Sequence, residues 1–152
     1  MFKKILVAAD GSDHANQAVE VAASLSEKFG SKLTVLHIMP HAGSHQIPDE
    51  LKVFAKVEHL SVNEAEILRS VATAIVERAK DKATSCGAKD VQTAIEIGDA
   101  ATNIIAYCDN HGIDTVVMGR RGLSDLKGLF LGSVSHKVAQ KTECACLTIG
   151  RK

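Results

Sequence analysis

Several residues that could together bind a phosphate group lie between positions 119 and 133. They are Gly119, Arg120, Arg121, Gly122, Gly132 and Ser133. Glycine lets the backbone approach a ligand closely, arginine supplies fixed positive charge, and the serine hydroxyl can form hydrogen bonds. The spacing matches neither a Walker A loop nor the G-x-G-x-x-G dinucleotide motif. The pattern alone therefore leaves two interpretations open: a phosphate-binding loop, or glycines that simply form turns.

A predicted strand and a predicted helix flank these residues. The run Thr115–Met118 is short, apolar and β-branched, as is typical of a buried strand. Val134 and Val138 recur at helical spacing and predict a helix that ends near Lys141. The first turn of a helix has unpaired N–H groups and a partial positive charge. A glycine-punctuated loop before such a helix could place a phosphate at its N-terminus.

The rest of the chain alternates between predicted strands and helices. The other strands are Lys3–Ala9, Lys32–Met39, Asp90–Ile97 and Ala145–Ile149. The other helices are Asp13–Phe29, a short one at Asp49–His59, one that starts at the capping box Ser61–Glu64, and one that follows Asp99. Such alternation predicts a parallel sheet covered by helices on both faces, in a single domain over residues 1–152.

Apolar spacing also predicts which side chains are buried. The stripe on the helix before Gly87 comprises Leu68, Val71, Ala72, Ile75, Val76, Ala79 and Ala83. Within the glycine-containing loop, Leu126, Leu129, Phe130 and Leu131 are expected to pack against the domain or against a partner chain. Cys86, Cys108, Cys144 and Cys146 are expected to be ordinary small apolar residues, with a metal or redox pair at 144 and 146 as the alternative.

These motifs resemble the universal stress protein family. Its nucleotide-binding members carry Gly, two residues, Gly, nine residues, Gly and then Ser or Thr, which is the spacing of Gly119, Gly122, Gly132 and Ser133. The opening Lys3–Ser12 and the closing run Ala145–Ile149 resemble the family's first and last strands. The resemblance implies an open five-stranded parallel sheet of order 3-2-1-4-5, Rossmann-like and similar to the adenine nucleotide alpha hydrolases.

The same resemblance implies an ATP site, with Mg or Mn as the accompanying ion. The implied contact residues are Ala8, Asp10, Ile38, Met118, Gly119, Arg120, Gly122, Gly132, Ser133, Val134 and Ser135. Ile38 would offer backbone groups to adenine, Met118 would cover the base or ribose, and the residues from Gly119 onward would hold the phosphates. Ala8 stands where many members have proline. Asp10 could alternatively be a helix-capping carboxylate.

Three functions follow as hypotheses. The first is a dimeric ATP-binding stress sensor or regulatory module, whose homodimer forms through the last strand, Ala145–Ile149, as the resemblance implies. The second is a slow ATP hydrolase or phosphotransferase that would use Asp10, Ser133, Ser135 or His136. The third is a dimeric adaptor that binds no nucleotide. The retained glycine spacing favours the first.

The composition of the chain argues against nucleic acid and membranes as partners. With 18 basic and 18 acidic residues, four Phe, one Tyr and no Trp, the chain lacks the charge and aromatic content of a nucleic-acid-binding protein. No stretch is long enough to cross a membrane, and the apolar start is too short for a signal peptide, so we expect a cytoplasmic protein. His37, His41 and His45 recur every four residues; solvated loop histidines are favoured over a zinc site.

Overall fold

The computed structural model describes residues 1–41, 64–122 and 131–150. Within these ranges the chain alternates between strands and helices, as predicted. The strands are β1 (Lys4–Ala8), β2 (Lys32–Met39), β3 (Val91–Ile97), β4 (Thr115–Gly119) and β5 (Ala145–Ile149). The helices are α1 (Asp13–Phe29), α2 (Glu64–Ser85), α3 (Ala100–His111) and α4 (Ser133–Lys141).

The strands form one parallel sheet in the order β3-β2-β1-β4-β5. In its centre, Val7 of β1 lies opposite Val35 of β2 and Val117 of β4. Because the order reverses between β1 and β4, the helices that follow these two strands cover opposite faces of the sheet. The predicted fold class and strand order are confirmed.

Two apolar layers hold the helices on the sheet. Ile5 and Val7 of β1 point into the layer beneath α1 and α2, whereas Leu6, between them, points into the layer beneath α3 and α4. Successive side chains of a strand alternate between its two faces, so a continuous apolar run is buried on both sides. These three residues have no exposed surface.

Helix boundaries follow the predicted signals. The Ser12 hydroxyl accepts a hydrogen bond from the N–H of Ala15 and starts α1, and the Asp99 carboxylate accepts one from the N–H of Thr102 and starts α3. Gly30 and Gly112 follow α1 and α3 in the left-handed conformation, with φ of 64° and 61°. None of the helices described is both long and apolar enough to cross a membrane.

One predicted core residue is wrong. Val71 is 50% exposed, whereas Ala72, Val76 and Ala79 are buried. At 100° per residue, Val71 lies at the edge of the stripe that these three residues form, so α2 turns it toward solvent. The predicted short helix Asp49–His59, the residues Ser61–Asn63 of the capping box, and Leu126, Leu129 and Phe130 lie outside the described residues.

Candidate functional site

A cleft of about 460 Å³ opens at the carboxyl edge of the sheet, where β1 and β4 end side by side. Ligands of open α/β sheets bind at such a reversal of strand order, and the volume suits a small organic ligand. Of the residues implied by the resemblance, those that line it are Ala8, Asp10, Ile38, Met118, Gly119, Gly122, Gly132, Ser133, Val134 and Ser135. The fold therefore brings the ends of β1, β2 and β4 and the start of α4 to one place.

Arg120 takes a different position. Its guanidinium carbon lies 3.1 Å from where a Cβ atom of Gly150 would be, beside the end of β5. The Arg120 N–H donates to the carbonyl of Ile149 at 2.7 Å, and its carbonyl accepts from the N–H of Gly132 at 2.8 Å. Among the described residues that line the cleft, the arginine is Arg121. The backbone of Arg120 thus shapes the loop, while its predicted side-chain contact with phosphate stays a prediction.

The glycines of the loop are required by close contacts rather than by unusual backbone angles. A Cβ atom on Gly119 would lie 2.9 Å from the backbone nitrogen of Ala15, at the start of α1. A Cβ atom on Gly122 would lie 2.6 Å from Oδ2 of Asp10, and one on Gly132 would lie 3.3 Å from the carbonyl oxygen of Arg120. None of these three glycines has a positive φ.

The N-terminus of α4 opens into this cleft without a capping side chain. Its N-cap is Gly132, which has no side chain to accept a hydrogen bond, unlike the caps of α1 and α3. The N–H of His136 donates to the carbonyl of Gly132 at 3.0 Å, which leaves the N–H groups of the three preceding residues without partners inside the helix. Those residues, Ser133, Val134 and Ser135, all line the cleft.

The hydroxyl of Ser135 stabilises the loop. Ser135 is buried, and its Oγ lies 2.9 Å from the carbonyl oxygen of Arg120 and 3.0 Å from that of Gly132. A carbonyl oxygen can only accept, so the single hydroxyl proton is directed to the loop. The N–H of Ser135 is the group that this residue can offer to a ligand.

Asp10 does not cap α1. Its Oδ1 accepts a hydrogen bond from the N–H of Ser12 at 2.9 Å, and Ser12 is the residue that caps the helix. This short-range bond fixes the turn between β1 and α1. Oδ2 lies on the side of Gly122. The capping interpretation of Asp10 is therefore wrong, and its carboxylate lines the cleft opposite the glycine-containing loop.

The carboxyl ends of β2 and β3 add lining residues that the sequence motifs did not indicate. His37 lies near the end of β2, Pro40 directly follows β2, and Gly98 directly follows β3. His37 Nδ1 lies 2.7 Å from the carbonyl oxygen of Ala9, and because a carbonyl oxygen can only accept, Nδ1 is the donor. Since all strands are parallel, residues at their carboxyl ends share one edge, and this rule could have identified them.

Other candidate residues lie away from the cleft or form no metal site. His136 is exposed on α4, its Nε2 lies 3.3 Å from Nε2 of Gln140, and it is absent from the described lining. His37 lies in a strand, and His45 falls outside the described residues. Over residues 1–41, 64–122 and 131–150, no group of three or more His, Cys, Asp or Glu side chains is arranged to hold a metal ion.

Comparisons with known proteins all match this chain to one family. The model for the universal stress protein family matches residues 1–150. Universal stress protein YxiE of Bacillus subtilis is 34% identical, over 98% of this chain and 99% of the relative. A universal stress protein of Thermus aquaticus, from the QAH/OAS sulfhydrylase 3′ region, is 32% identical over 98% of this chain and 99% of its own length.

Solved structures share the fold. Universal stress protein UspA from Lactobacillus plantarum superposes with a TM-score of 0.78, at 21% identity over 97% of each chain. A universal stress protein in complex with cAMP gives a TM-score of 0.71 at 25% identity, over 97% of this chain and 96% of that one. The Archaeoglobus fulgidus protein in complex with dAMP gives 0.68 at 20% identity, over 98% and 99% of the two chains.

Proposed function

Because this chain belongs to the universal stress protein family, we propose that it binds ATP in the cleft at the carboxyl edge of its sheet and acts as a dimeric stress-response sensor or regulatory module. The observation that carries the proposal is the N-terminus of α4, which lines the cleft and has a glycine where a capping side chain would otherwise stand. A nucleotide phosphate would supply the acceptors that this helix end needs.

The adenosine part would bind at the apolar side of the cleft. Leu36, Ile38, Ile104 and Met118 line this side, and a flat apolar base is well suited to such walls. Ile38 lies near the end of β2, where its backbone groups could pair with the adenine edge. A structural neighbour at 25% identity was solved in complex with cAMP, which supports an adenine-containing ligand for this chain.

The phosphates would lie between the loop and α4. The N–H groups of Ser133, Val134 and Ser135 converge at the positive end of the helix dipole, and anions are stabilised there. Gly122 and Gly132 border the same space without side chains that would fill it. Arg121, which also lines the cleft, adds positive charge on the loop side.

A divalent cation, Mg or Mn, would be bound mainly by the phosphates. Mg²⁺ in nucleotide sites keeps several waters and uses one or two protein carboxylates. Among the described residues that line the cleft, Asp10 supplies one carboxylate. One carboxylate suits a cation held mainly by phosphates and water, and not one held by protein ligands alone. The cation would neutralise phosphate charge beside Asp10, so ATP and the carboxylate could share the cleft.

The edge strand β5 supports the proposed homodimer. Ala145 donates its N–H to Asp114, and Ile149 accepts from Arg120, so both turn their backbone groups toward β4. Backbone groups alternate in direction along a strand, and those of Cys146 and Thr148 therefore face away from β4, toward the side of β5 on which no described strand lies. An unpaired edge is a template for strand pairing, here across a two-fold axis. The proposal places this dimer in the cytoplasm, which suits four cysteines that are all free.

Titration calorimetry with adenine nucleotides tests the proposal. ATP, ADP, AMP and adenosine are titrated into the purified, nucleotide-stripped protein, with and without magnesium, and GTP serves as the control for base recognition. We expect one ATP per chain and an affinity that falls as phosphates are removed, because the helix N-terminus binds the phosphates. Equal affinity for ATP and adenosine would refute the phosphate site, and no detectable ATP binding would refute the proposed function.

A further inference from the structure

Strand β2 extends further than its neighbour β1 at the carboxyl edge of the sheet. Pairing between the two strands ends where Ala8 lies opposite Leu36, whereas β2 continues to Met39 and is paired with β3 along its whole remaining length. After Ala9 the chain leaves the sheet and turns into α1. Positions 37–39 of β2 therefore extend past the last residue of β1 that pairs with this strand.

The backbone groups of Ile38 face the side on which β1 has ended. The carbonyl of Leu36 accepts a hydrogen bond from the N–H of Ala9 at 2.9 Å, and the carbonyl of Met39 accepts one from the N–H of Gly98, after β3, at 2.9 Å. Because backbone groups alternate in direction along a strand, even-numbered residues of β2 face β1 and odd-numbered ones face β3. The N–H and the carbonyl of Ile38 thus point past the end of β1, beside the cleft that this residue lines.

The side chain of His37 takes the place of the next bond between β1 and β2. If the pairing continued by one step, the N–H of Ile38 would donate to the carbonyl of Ala9. Within the described part of the chain this backbone bond is not formed, and the carbonyl of Ala9 accepts instead from Nδ1 of His37 at 2.7 Å. The half-buried imidazole therefore satisfies the carbonyl that strand pairing would otherwise join to Ile38.

We propose that His37 is a positioning residue for base recognition, which binds the carbonyl of Ala9 and so leaves the N–H of Ile38 for a purine ligand. The inference rests on the proposed nucleotide site and adds the side chain that prepares its base-binding part. In this role the imidazole acts through the backbone of its neighbour rather than through a contact of its own with the base.

The exposed pair of backbone groups selects the class of base. The N–H and the carbonyl of Ile38 present one donor and one acceptor side by side along the same edge of β2. A 6-aminopurine carries the complementary pair, because its amino group donates and its N1 accepts. In a 6-oxopurine both roles are reversed, so this base would have to turn over and carry its ribose to the other side. The ligand class that His37 favours is therefore a 6-aminopurine nucleotide.

Amide hydrogen exchange of the nucleotide-free protein tests the first half of the proposal. In the wild type, the amide of Ile38 should exchange fast, whereas that of Leu36, inside the paired part of β2, should exchange slowly. His37→Phe keeps a flat ring but lacks the N–H, so the carbonyl of Ala9 is released and the amide of Ile38 should become protected. In His37→Asn the side-chain amide nitrogen is attached to Cγ, as Nδ1 is in histidine, and fast exchange should be retained.

Two exchange results would overturn the proposal. One is slow exchange at Ile38 in the wild type, which would mean that this N–H already has a partner. The other is unchanged fast exchange at Ile38 in His37→Phe, which would mean that the imidazole does not determine its pairing. Neither result depends on whether the protein binds ATP, and circular dichroism checks that both variants keep their helices.

Titration calorimetry tests the second half by comparing ATP and adenosine with inosine triphosphate, a 6-oxopurine nucleotide. We expect His37→Phe to lower the affinities for ATP and adenosine by the same factor, about tenfold, because one hydrogen bond to the base is lost. The affinity for inosine triphosphate should change less than about twofold, since this base does not match the Ile38 pair. His37→Asn should keep the preference for ATP, and His111→Phe, at the end of α3, is the matched control.

The comparison between bases separates positioning from general damage. The bond from His37 lies directly before Asp10, so a disturbed β1–α1 turn is the competing explanation, and it would affect all three ligands alike. Equal losses for ATP and inosine triphosphate, with binding retained in the wild type, would refute the role of His37 alone. Absence of ATP binding in the wild type would refute the proposed function itself.

Discussion

A Cβ atom added to Gly122 would lie 2.6 Å from Oδ2 of Asp10. No ordinary Cβ approaches an oxygen that closely, so the position of the Asp10 carboxylate depends on the absence of a side chain at Gly122. The first strand and the loop after the fourth strand therefore constrain each other across the mouth of the cleft. Asp10 is also fixed on its other side by the N–H of Ser12.

This relationship predicts non-additive effects in a double-mutant cycle. Gly122→Ala should weaken ATP binding about tenfold, roughly 1.4 kcal/mol, because the carboxylate must move out of its place. Asp10→Ala removes the carboxylate, and Gly122→Ala on that background should cause little further loss. Calorimetric titration of the wild type, both single variants and the double variant measures the coupling. Losses that simply add would show that Gly122 acts without Asp10.

A pair of substitutions at Ser133 tests the backbone donors at the N-terminus of α4. Ser133 is the first residue of this helix, where proline is tolerated, and the extended conformation of Gly132 suits a residue that precedes proline. Ser133→Pro removes one N–H and should reduce ATP affinity about tenfold, whereas Ser133→Ala removes only the hydroxyl and should reduce it less than about threefold. Circular dichroism checks that both variants keep their helices. Equal losses in the two would assign the contact to the hydroxyl.

The carboxylate of Asp114 predicts a pH dependence of stability. It accepts hydrogen bonds from the N–H groups of Lys3 and Lys4 at 2.8 and 3.2 Å and from the Thr115 hydroxyl at 2.8 Å. Partial burial opposes ionisation, but these bonds outweigh it and lower the pKa of Asp114 in the folded protein. The ionised carboxylate stabilises the fold at pH values above its pKa in the unfolded chain, which is near 3.9. This stabilisation is lost as the pH falls through the lower pKa of Asp114 in the folded protein.

Asp114→Asn should therefore reduce the free energy of unfolding by about 1.5 kcal/mol at neutral pH. The difference from wild type should shrink as the pH is lowered through the folded pKa of Asp114, because the wild-type carboxyl becomes protonated as well. Urea unfolding across this pH range measures it, with Asp81→Asn, exposed on α2, as the matched control. A difference that stays constant with pH would contradict the assignment to ionised Asp114.

The outer side of β5, where the described part of the chain places no further strand, predicts the effect of a proline at position 148. The backbone N–H of Thr148 faces away from β4, so Thr148→Pro should leave the sheet intact and remove a donor needed for pairing with a second copy. We expect wild type and Thr148→Val to sediment as dimers and Thr148→Pro to sediment as a monomer. A monomeric wild type would contradict the proposed dimer. A proline variant that remains dimeric would show that the dimer interface does not involve the edge of β5.

Much of the fold could be predicted from the sequence, because the alternation of strand and helix patterns and the residues that begin or end helices are local signals. Buried strands, Gly30 and Gly112 after their helices, and the caps Ser12 and Asp99 could all be identified from neighbouring residues. Val71 was misassigned because it lies at the edge of its stripe, where helical spacing alone does not decide exposure. The strand order, which the resemblance implied, depends on contacts between distant segments.

The site was predicted less completely for a similar reason. Motif spacing identified the loop glycines, but the reason that these positions need glycine lies in tertiary contacts. Gly119 packs against the backbone of α1, and Gly122 packs against a side chain of the β1–α1 turn. Arg120 and Arg121 are adjacent in sequence, and only the path of the loop shows that Arg121 lines the cleft. His37 and Gly98 join the site because their strands end at the same edge.

The phosphate site at the N-terminus of α4 is tested most directly by nuclear magnetic resonance of the backbone amides of this helix while ATP is added. We expect the ¹⁵N–¹H signals of Ser133, Val134 and Ser135 to shift together and to saturate at one ATP per chain, and AMP to shift them less. The signal of the Gly112 amide, which lies between α3 and the amino end of β4, should not shift. Saturating ATP that leaves the three α4 signals in place would contradict a phosphate site at this helix end.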